Sequence, residues 1–291
     1  MTEKLTIVVP VYNEEMSLKT IIASLIKFAE ENECKIIVVN DGSTDKSDSI
    51  IESLNLNSGI KYIKHKKNKG YGAALKAGIE QCDTEYVVTF DADGQHMPED
   101  ILKLLKKILD EDADLVIGSR VDNKGSEAIK RFGKYIIRKL SKILIQNKIN
   151  DLNAGMKMMR TNLAQRYIRI CPDTFAFSDV ITLVFISEKN IVLEEPIKVM
   201  QRQNGKSKIT FNTAFETILE IINISVLFNP LRIFLPLTFF FLVLGFGWSL
   251  KIVLEGHGVS VGGSLLIVLG ILCFLIGLVA EQLSFIKKRL M

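Results

Sequence analysis

The C-terminal part of the chain contains two long apolar segments that restrict the possible folds more than any other feature. Residues 233–254 include one charged residue, Lys251, and residues 259–280 include none. Each segment has 22 residues. As a helix rising about 1.5 Å per residue, each would span roughly 33 Å, close to the hydrocarbon thickness of a bilayer. The sequence therefore predicts two transmembrane helices, in preference to two helices buried in a soluble core.

The charges around these segments predict their orientation. Arg232 precedes the first segment, and Lys287, Lys288 and Arg289 follow the second, whereas the link at 255–258 has no lysine or arginine. Positive residues favour the cytoplasmic side of a membrane, and the chain opens without an apolar stretch long enough for a signal peptide. We therefore expect an integral protein of the cytoplasmic membrane, with the N-terminal domain and both termini in the cytoplasm.

Two further patterns concern the membrane region. Gly263, Gly270 and Gly277 recur every seven residues, and small residues let helices approach closely. This face is expected to pack against the first segment or against a neighbouring subunit, which would give a homo-oligomer through the transmembrane helices.

Upstream, apolar residues at helical spacing with acidic residues on another face predict an amphipathic juxtamembrane helix over 210–230, lying along the membrane surface or packed on the protein.

Residues 1–209 have the alternation that is typical of an α/β domain. Short β-branched runs at 5–9, 36–39 and 115–117 alternate with segments, such as 18–26 and 73–81, that suit helices. This order predicts a mostly parallel sheet with helices on both faces. The net charge of +4 is too small to indicate a nucleic-acid-binding protein.

Polar segments follow three of the predicted strands. They run from Pro10 to Glu15, from Asn40 to Asp45 and from Asp91 to His96. Parallel sheets bind ligands at the carboxyl ends of their strands, although each segment taken alone could be a helix cap or a turn. Asp91 and Asp93 are two residues apart in an extended segment, so their carboxylates can converge on one hard divalent cation.

Five short motifs occur in order in this domain. They read Val-Pro-Val-Tyr-Asn-Glu (9–14), Asn-Asp-Gly-Ser-Thr-Asp (40–45), Asn-Lys-Gly-Tyr-Gly (68–72), Asp-Ala-Asp-Gly-Gln-His (91–96) and Gly-Ser-Arg (118–120). As a set they resemble glycosyltransferase family 2, and most of all its polyprenyl-phosphate glycosyltransferases of the dolichol-phosphate mannose synthase type. The resemblance implies a nucleotide-sugar-binding GT-A domain. It also implies inverting transfer of a hexose from a UDP- or GDP-linked sugar to undecaprenyl or dolichyl phosphate on the cytoplasmic leaflet.

The resemblance assigns roles to the residues at matching positions. Those implied for the nucleotide sugar are Pro10, Tyr12, Glu14, Asp41, Lys69, Gly70, Asp91 and Ala92, with Asp41 reading the base. Those implied for Mg²⁺ or Mn²⁺ are Asp91, Asp93 and Gln95. The acceptor phosphate is assigned to Arg120, Arg131, Arg202, Ser207 and Lys208, and the catalytic residues are Asp93, Asp151 and Arg120. The ion would neutralise the charge that develops on the leaving group.

The acceptor decides whether a general base is needed. Arginines suit a phosphate, because a guanidinium can bond two oxygens at once, and Arg120 follows a predicted strand. A phosphate monoester is largely dianionic at neutral pH and needs no base. A saccharide or lipid hydroxyl, the alternative acceptor in cell-surface polysaccharide or glycolipid synthesis, would require Asp151 or Asp179 as base. Asp151 could equally orient an arginine.

Overall fold

The computed structural model describes two compact units of the chain. The residues described are 4–55, 60–120, 149–200 and 219–289, the last with short gaps at 220–221, 224, 227, 257 and 259. One unit contains a β-sheet and its helices, and the other contains the two long C-terminal helices. Most of the predicted amphipathic helix at 210–230 lies outside the described residues.

Seven strands of the described residues form one sheet. They are β1 (Leu5–Val11), β2 (Lys35–Asn40), β3 (Lys61–Lys64), β4 (Tyr86–Thr89), β5 (Leu115–Arg120), β6 (Lys157–Arg160) and β7 (Val192–Ile197). The strand order is β3-β2-β1-β4-β6-β5-β7, and β6 runs antiparallel to its neighbours β4 and β5. The other pairs are parallel, which confirms the predicted mostly parallel sheet.

Helices connect most of these strands. They are α1 (Glu15–Asn32), α2 (Ser47–Asn55), α3 (Tyr71–Ile79), α4 (Glu99–Asp110), α5 (Thr161–Tyr167) and α6 (Phe177–Ser187). The helix predicted at 73–81 begins and ends two residues earlier. Its start is fixed by long-range bonds, because the amides of Gly72 and Ala73 both donate to the carbonyl of Asp173, at 2.8 and 3.3 Å.

Helices bury both faces of the sheet. On β1, Ile7 and Val9 belong to the hydrophobic cluster that includes the inner faces of α1 and α4. Val8 points to the other face, where Gly78 of α3 packs so closely that a β-carbon on it would overlap Val8 Cγ1. Because successive side chains of a strand point to opposite faces, and both faces are covered, β1 is buried throughout and nearly all apolar rather than alternating.

The sheet order reverses between β1 and β4, and this reversal places a crevice at the carboxyl ends of the two strands. β1 pairs with β2 as far as Val11 but with β4 only as far as Val8. Pro10, which has no N–H to donate, lies in the part of β1 beyond the pairing with β4. The segments that follow β1 and β4 therefore diverge at this point, as expected for a ligand site.

The second unit is a pair of apolar helices. They are α7 (Leu231–Leu254) and α8 (Val261–Arg289). Both are long and apolar enough to cross a membrane. β-carbons on Gly270 and Gly277 would lie only 3.0 Å from Leu242 Cγ and 2.8 Å from Phe234 Cβ of α7. The glycine face of α8 therefore packs against α7, which confirms the first of its two predicted partners.

Candidate active site

The segments that follow β1 and β2 are bonded to each other at the start of α1. The amides of Asn13 and Glu14 donate to the hydroxyls of Ser43 and Ser47, both at 3.1 Å. In return the Thr44 amide donates to Asn13 Oδ1 at 2.8 Å, and Asn13 holds a left-handed φ of 56°. The first amides of a helix have no partner within it, and the Glu15 amide at the start of α1 donates to Asp45 Oδ2 at 3.1 Å. The second motif, with Ser47 just beyond it, therefore fixes the end of the first motif and the start of α1.

Asp41 lies beneath the loop that follows β3 and is only 2% exposed. Its Oδ1 lies 2.7 Å from His65 Nδ1 and accepts a bond from the Lys69 amide at 3.0 Å. Its Oδ2 accepts a bond from the Gly70 amide at 2.8 Å. Gly70 has a φ of 107°, and a β-carbon there would overlap the carbonyl oxygen of Asp173. Asp41, Lys69 and Gly70 are thus brought together, but by bonds within the protein that shape the loop.

Asp91 lies two residues beyond the end of β4, and two neighbours fix its carboxylate. Oδ1 accepts a bond from the Tyr71 hydroxyl at 2.8 Å, and a β-carbon on Gly155 would overlap Oδ2. The carboxylate therefore occupies the space that a side chain at Gly155 would need. Burial and the charge of Asp91 raise the pKa of Tyr71 well above its usual range, so the hydroxyl remains a donor. The Tyr71 ring stacks on Phe175, with centroids 5.3 Å apart.

The rest of the turn after β4 is held by backbone contacts. Ala92 is buried, and its carbonyl accepts a bond from Ser17 Oγ at 2.8 Å. Asp93 Oδ1 accepts a bond from the Gln95 amide at 3.1 Å. The Gln95 side chain donates to the carbonyl of Met200 at 3.2 Å. Asp91, Asp93 and Gln95 therefore share one tight turn, where the sequence predicted an extended segment.

The chemistry of this turn fits a hard divalent cation such as Mg²⁺ or Mn²⁺, because carboxylate oxygens are the ligands these ions prefer. In the described parts of the chain no three side chains of histidine, cysteine, aspartate and glutamate converge to form a complete metal cage. His96 lies beside the pair, with Nε2 4.0 Å from Asp91 Oδ2 and Nδ1 buried without a hydrogen-bond partner among the described residues. The turn suits an ion that takes its remaining ligands from phosphate oxygens and water, as Mg²⁺ typically does.

Arg120 forms an ion pair with Asp151 at the end of β5. It is the last residue of the strand, which extends three residues beyond its predicted end at Ile117. Its Nε donates to Asp151 Oδ2 at 2.9 Å, and its Nη2 donates to Asp151 Oδ1 at 3.2 Å and to the carbonyl of Asn153 at 3.0 Å. Burial raises the pKa of Asp151, but hydrogen bonds and charge from Arg120 outweigh it and hold the pKa below its usual range. Asp151 is therefore an ionised partner of Arg120 and a weak base.

The remaining predicted residues are placed as follows. Tyr12 and Glu14 are half-buried at the end of β1, and Asp179 is buried in the first turn of α6. The turn after β4 and the end of β5 meet at the segment 151–155, because Arg120 Nη2 donates to the carbonyl of Asn153 at 3.0 Å and Gly155 lies against Asp91 Oδ2. Arg131, Arg202, Ser207 and Lys208 lie outside the described residues.

Several residues of this site had no predicted role. Tyr71 lies within the third motif, yet its bond to Asp91 depends on a contact that the motif does not reveal. Gly155 and Lys157 follow Asp151 closely, and His65 precedes the third motif. Lys157 did carry a signal, because a charged residue within an apolar run that becomes a buried strand must find polar partners.

Comparison with known proteins finds families and relatives that match this chain. Residues 6–168 match the model of Glycosyl transferase family 2, and residues 229–286 match that of the GtrB C-terminal hairpin. The chain is 32% identical over 178 residues to the UDP-N-acetylglucosamine–dolichyl-phosphate N-acetylglucosaminyltransferase of Methanococcus voltae, covering 54% of this chain and 70% of that one. It is 28% identical over 231 residues to the polyprenol monophosphomannose synthase of Mycolicibacterium smegmatis, covering 76% and 86%.

A solved structure shows the same fold. Glucosyl-3-phosphoglycerate synthase from Mycobacterium tuberculosis, in complex with Mn²⁺, uridine diphosphate and phosphoglyceric acid, superposes with a TM-score of 0.61 at 17% identity, covering 77% of this chain and 78% of that one. The family model matches more than half of the 291 residues. The chain therefore belongs to glycosyltransferase family 2, with a GT-A catalytic domain followed by a GtrB C-terminal hairpin.

Proposed function

We propose that this glycosyltransferase moves a hexose from a nucleotide sugar to a polyprenyl phosphate on the cytoplasmic leaflet. The observation that carries the proposal is the bidentate Arg120–Asp151 pair, which the turn at 151–155 links to Asp91 through Gly155. A fixed guanidinium beside a cation-binding turn suits a reaction between a diphosphate donor and a phosphate acceptor. The two relatives act on dolichyl phosphate and form a polyprenol monophosphomannose, and the apolar hairpin would hold the enzyme at the membrane that contains such lipids.

On the donor side, the nucleotide would lie in the crevice between β1 and β4. Pro10, Tyr12 and Glu14 would line it from β1, and Ala92 from the turn after β4. Asp41 would act through the amides of Lys69 and Gly70, because the chain itself occupies both of its carboxylate oxygens.

The cation would be held by Asp91 and Asp93, with Gln95 completing the set. When bound, a divalent ion supplies neutralisation of the charge that develops on the nucleoside-diphosphate leaving group. The tight turn and the Tyr71 hydroxyl keep the carboxylates in place before any ligand arrives.

The transfer itself would be a single displacement at the anomeric carbon. An oxygen of the acceptor phosphate forms a bond to that carbon while the bond from the carbon to the donor diphosphate breaks, so the configuration inverts and nucleoside diphosphate leaves. Arg120 would hold the acceptor phosphate, together with Arg131, Arg202, Ser207 and Lys208. The phosphate is largely dianionic at neutral pH, so no proton has to be removed, which agrees with an Asp151 that is a weak base.

The test uses the purified full-length protein in detergent with Mg²⁺ or Mn²⁺, a polyprenyl phosphate and a panel of UDP- and GDP-sugars. Mass spectrometry should find a metal-dependent polyprenyl-phosphate monosaccharide. The Asp93→Ala variant should lose at least about 100-fold in rate. Asp83→Ala is the matched control, because Asp83 pairs with Lys35 on the surface at 2.9 Å and its loss should leave the rate unchanged.

A different result would overturn this function. If sugar were transferred only to a hydroxyl acceptor, and if Asp179→Asn abolished that transfer while Arg120→Lys did not, the acceptor would be an alcohol and Asp179 its general base.

A further inference from the structure

A fully buried lysine lies next to the Arg120–Asp151 pair. Lys157 begins β6, the antiparallel strand between β4 and β5, and is 1% exposed. Its ammonium group donates to the carbonyl oxygens of Leu152, at 2.9 Å, and Ala154. Burying an ammonium group is costly unless it is hydrogen-bonded and paired with opposite charge, so a lysine at this position needs the turn that surrounds it.

The same turn is held by Arg120. The Nη2 group of Arg120 donates to the carbonyl of Asn153 at 3.0 Å, and Asp151 at the start of the turn accepts two further bonds from the guanidinium. The consecutive carbonyls of Leu152, Asn153 and Ala154 therefore accept bonds from Lys157, Arg120 and Lys157, respectively. Two cations share one short turn, so movement of either one changes the bonds of the other.

The far end of the turn is tied to β4. Thr89 Oγ1 donates to the carbonyl of Gly155 at 2.6 Å and accepts a bond from the Lys157 amide at 3.1 Å. Burial lowers the pKa of Lys157 to about 8, and the nearby guanidinium of Arg120 acts in the same direction, whereas Asp179, Asp151 and Asp91 favour the charged form.

We propose that Lys157 is a positioning residue for Arg120, acting through the turn at 151–155, so that the guanidinium is aimed at the acceptor phosphate. The proposal rests on the function proposed above and adds a residue to it. Lys157 does not touch substrate, because its side chain is fully enclosed. Its effect should therefore appear on the acceptor side of the reaction and leave donor binding intact.

The kinetic test compares Lys157→Met with wild type and with Arg120→Lys. A displaced guanidinium should lower kcat/KM for the polyprenyl phosphate about 50-fold, because misplacement by about 1 Å can cost that much. The dissociation constant for the nucleotide sugar with Mg²⁺ should change less than about threefold. If Lys157 acts through Arg120, the double variant should be hardly worse than the poorer single variant, whereas independent effects would multiply.

Two additions keep the test decisive. Lys76→Met is the matched control, since Lys76 pairs with Asp173 at 2.7 Å in the same domain and should leave acceptor kinetics unchanged. If Lys157→Met does not fold, Lys157→Gln takes its place in the cycle, because an amide is neutral but still donates two N–H groups. Multiplying effects, or an equal loss of donor affinity, would overturn the proposal.

Hydrogen exchange on the full-length protein separates this proposal from the function on which it rests. Removing the ammonium group should speed exchange at residues 151–155 and at Arg120, while α1 and the loop after β2 keep their protection. That result would support the positioning role even if the wild type made no polyprenyl-phosphate product, a failure that would concern the proposed function alone. Unchanged exchange at 151–155, or faster exchange throughout, would refute the role of Lys157.

Discussion

The two sides of the crevice are held together by different chemistry. On the side of β1 and β2, the loops are joined mainly by backbone amides that donate to side-chain oxygens, such as from the Asn13 amide to Ser43 Oγ, from the Thr44 amide to Asn13 Oδ1 and from the Glu15 amide to Asp45 Oδ2. On the side of β5 and β6, the contacts are ionic, with Arg120 and Lys157 bonded to one turn. The proposed donor loops and the proposed acceptor arginine therefore depend on different forces.

This difference teaches where single changes should matter. A neutral hydrogen bond contributes about 0.5–1.5 kcal/mol, and a loop held by several of them shares the loss of one. Removing one partner of a fully buried ion pair costs about 3–5 kcal/mol, because a charge is left buried without compensation, and breaking the part-buried Arg120–Asp151 pair should cost somewhat less. The β5 and β6 side should therefore be sensitive to single substitutions, and the neutral contacts of the β1 and β2 side should tolerate them.

Removing the arginine should have the largest effect. Arg120→Ala leaves Asp151 largely buried without its guanidinium and removes a charged donor from the proposed phosphate site. We expect kcat/KM for the acceptor to fall about 1,000-fold, as for the loss of two charge-assisted bonds. Steady-state kinetics at saturating nucleotide sugar would measure this fall.

Arg160→Ala provides the control for that prediction. The Arg160 side chain is 26% exposed, as is that of Arg120, and it pairs with Asp114 at 3.2 Å, away from the crevice. Its removal should cost some stability and leave both kinetic constants near the wild-type values. Equal losses in the two variants would show that the effect of Arg120 is stability alone.

Gly155→Ala should have the next largest effect. It acts on the carboxylate of Asp91 rather than on Arg120. A β-carbon at 155 would overlap Asp91 Oδ2 and displace it. The rate should fall about 50-fold, and half-saturation of the activity should need more Mg²⁺. A metal titration of the activity would measure both changes. Gly78→Ala, which overlaps Val8 in the core, should lower the melting temperature without changing the metal requirement. A Gly155 variant with normal metal dependence would contradict this reading of Asp91.

Local patterns predicted strands β1 to β5 and the helices between them except α2 (Ser47–Asn55), and long-range pairing determined the rest. The alternation of apolar runs and helical segments placed β1, β2 and α1 correctly. The short strand Lys157–Arg160 was not predicted, because its four residues have no distinctive period and form a strand only between β4 and β5. The strand Val192–Ile197 contains Glu194 and Glu195, which interrupt the apolar pattern by which a strand is recognised in a sequence. An edge strand with one exposed face has a weaker apolar pattern than a central strand that is buried on both faces.

The motifs indicated the position of the site better than the role of each side chain. The sequence predicted that Asp91 and Asp93 lie together after a strand in an extended segment, and the structure places them together in a tight turn instead. It could not show that Ser43 and Thr44 bond to Asn13, because those partners are about 30 residues apart and meet only in the folded chain. Partners of this kind follow from the strand order, which a linear motif does not contain.

The pH dependence should separate the ion pair from the acceptor. The pKa of Asp151 lies below its usual range in the folded protein, so the stability it contributes is present above the unfolded value of about 4 and is lost only as pH falls through the lower folded value. The second pKa of a phosphate monoester is about 6. Between neutral pH and roughly pH 5, kcat/KM for the acceptor should therefore fall about tenfold while the melting temperature keeps the contribution of this pair. A pH–rate profile beside thermal denaturation would test this, and an acid limb near pH 4 would point to an enzyme carboxylate instead.

The smallest effect is expected from a neutral contact on the β1 and β2 side. Ser43→Ala removes one acceptor from the Asn13 amide, which is exposed and can bond to water instead. The loss should be about 1 kcal/mol or less, giving at most about a fivefold rise in the KM for the nucleotide sugar and no change for the acceptor. Ser49→Ala is the control, because the Ser49 hydroxyl donates to the carbonyl of Lys46, just before α2, at 2.9 Å. A 100-fold loss in Ser43→Ala would mean that this hydroxyl contacts the donor itself, and the β1 and β2 side would then be as intolerant of change as the charged side.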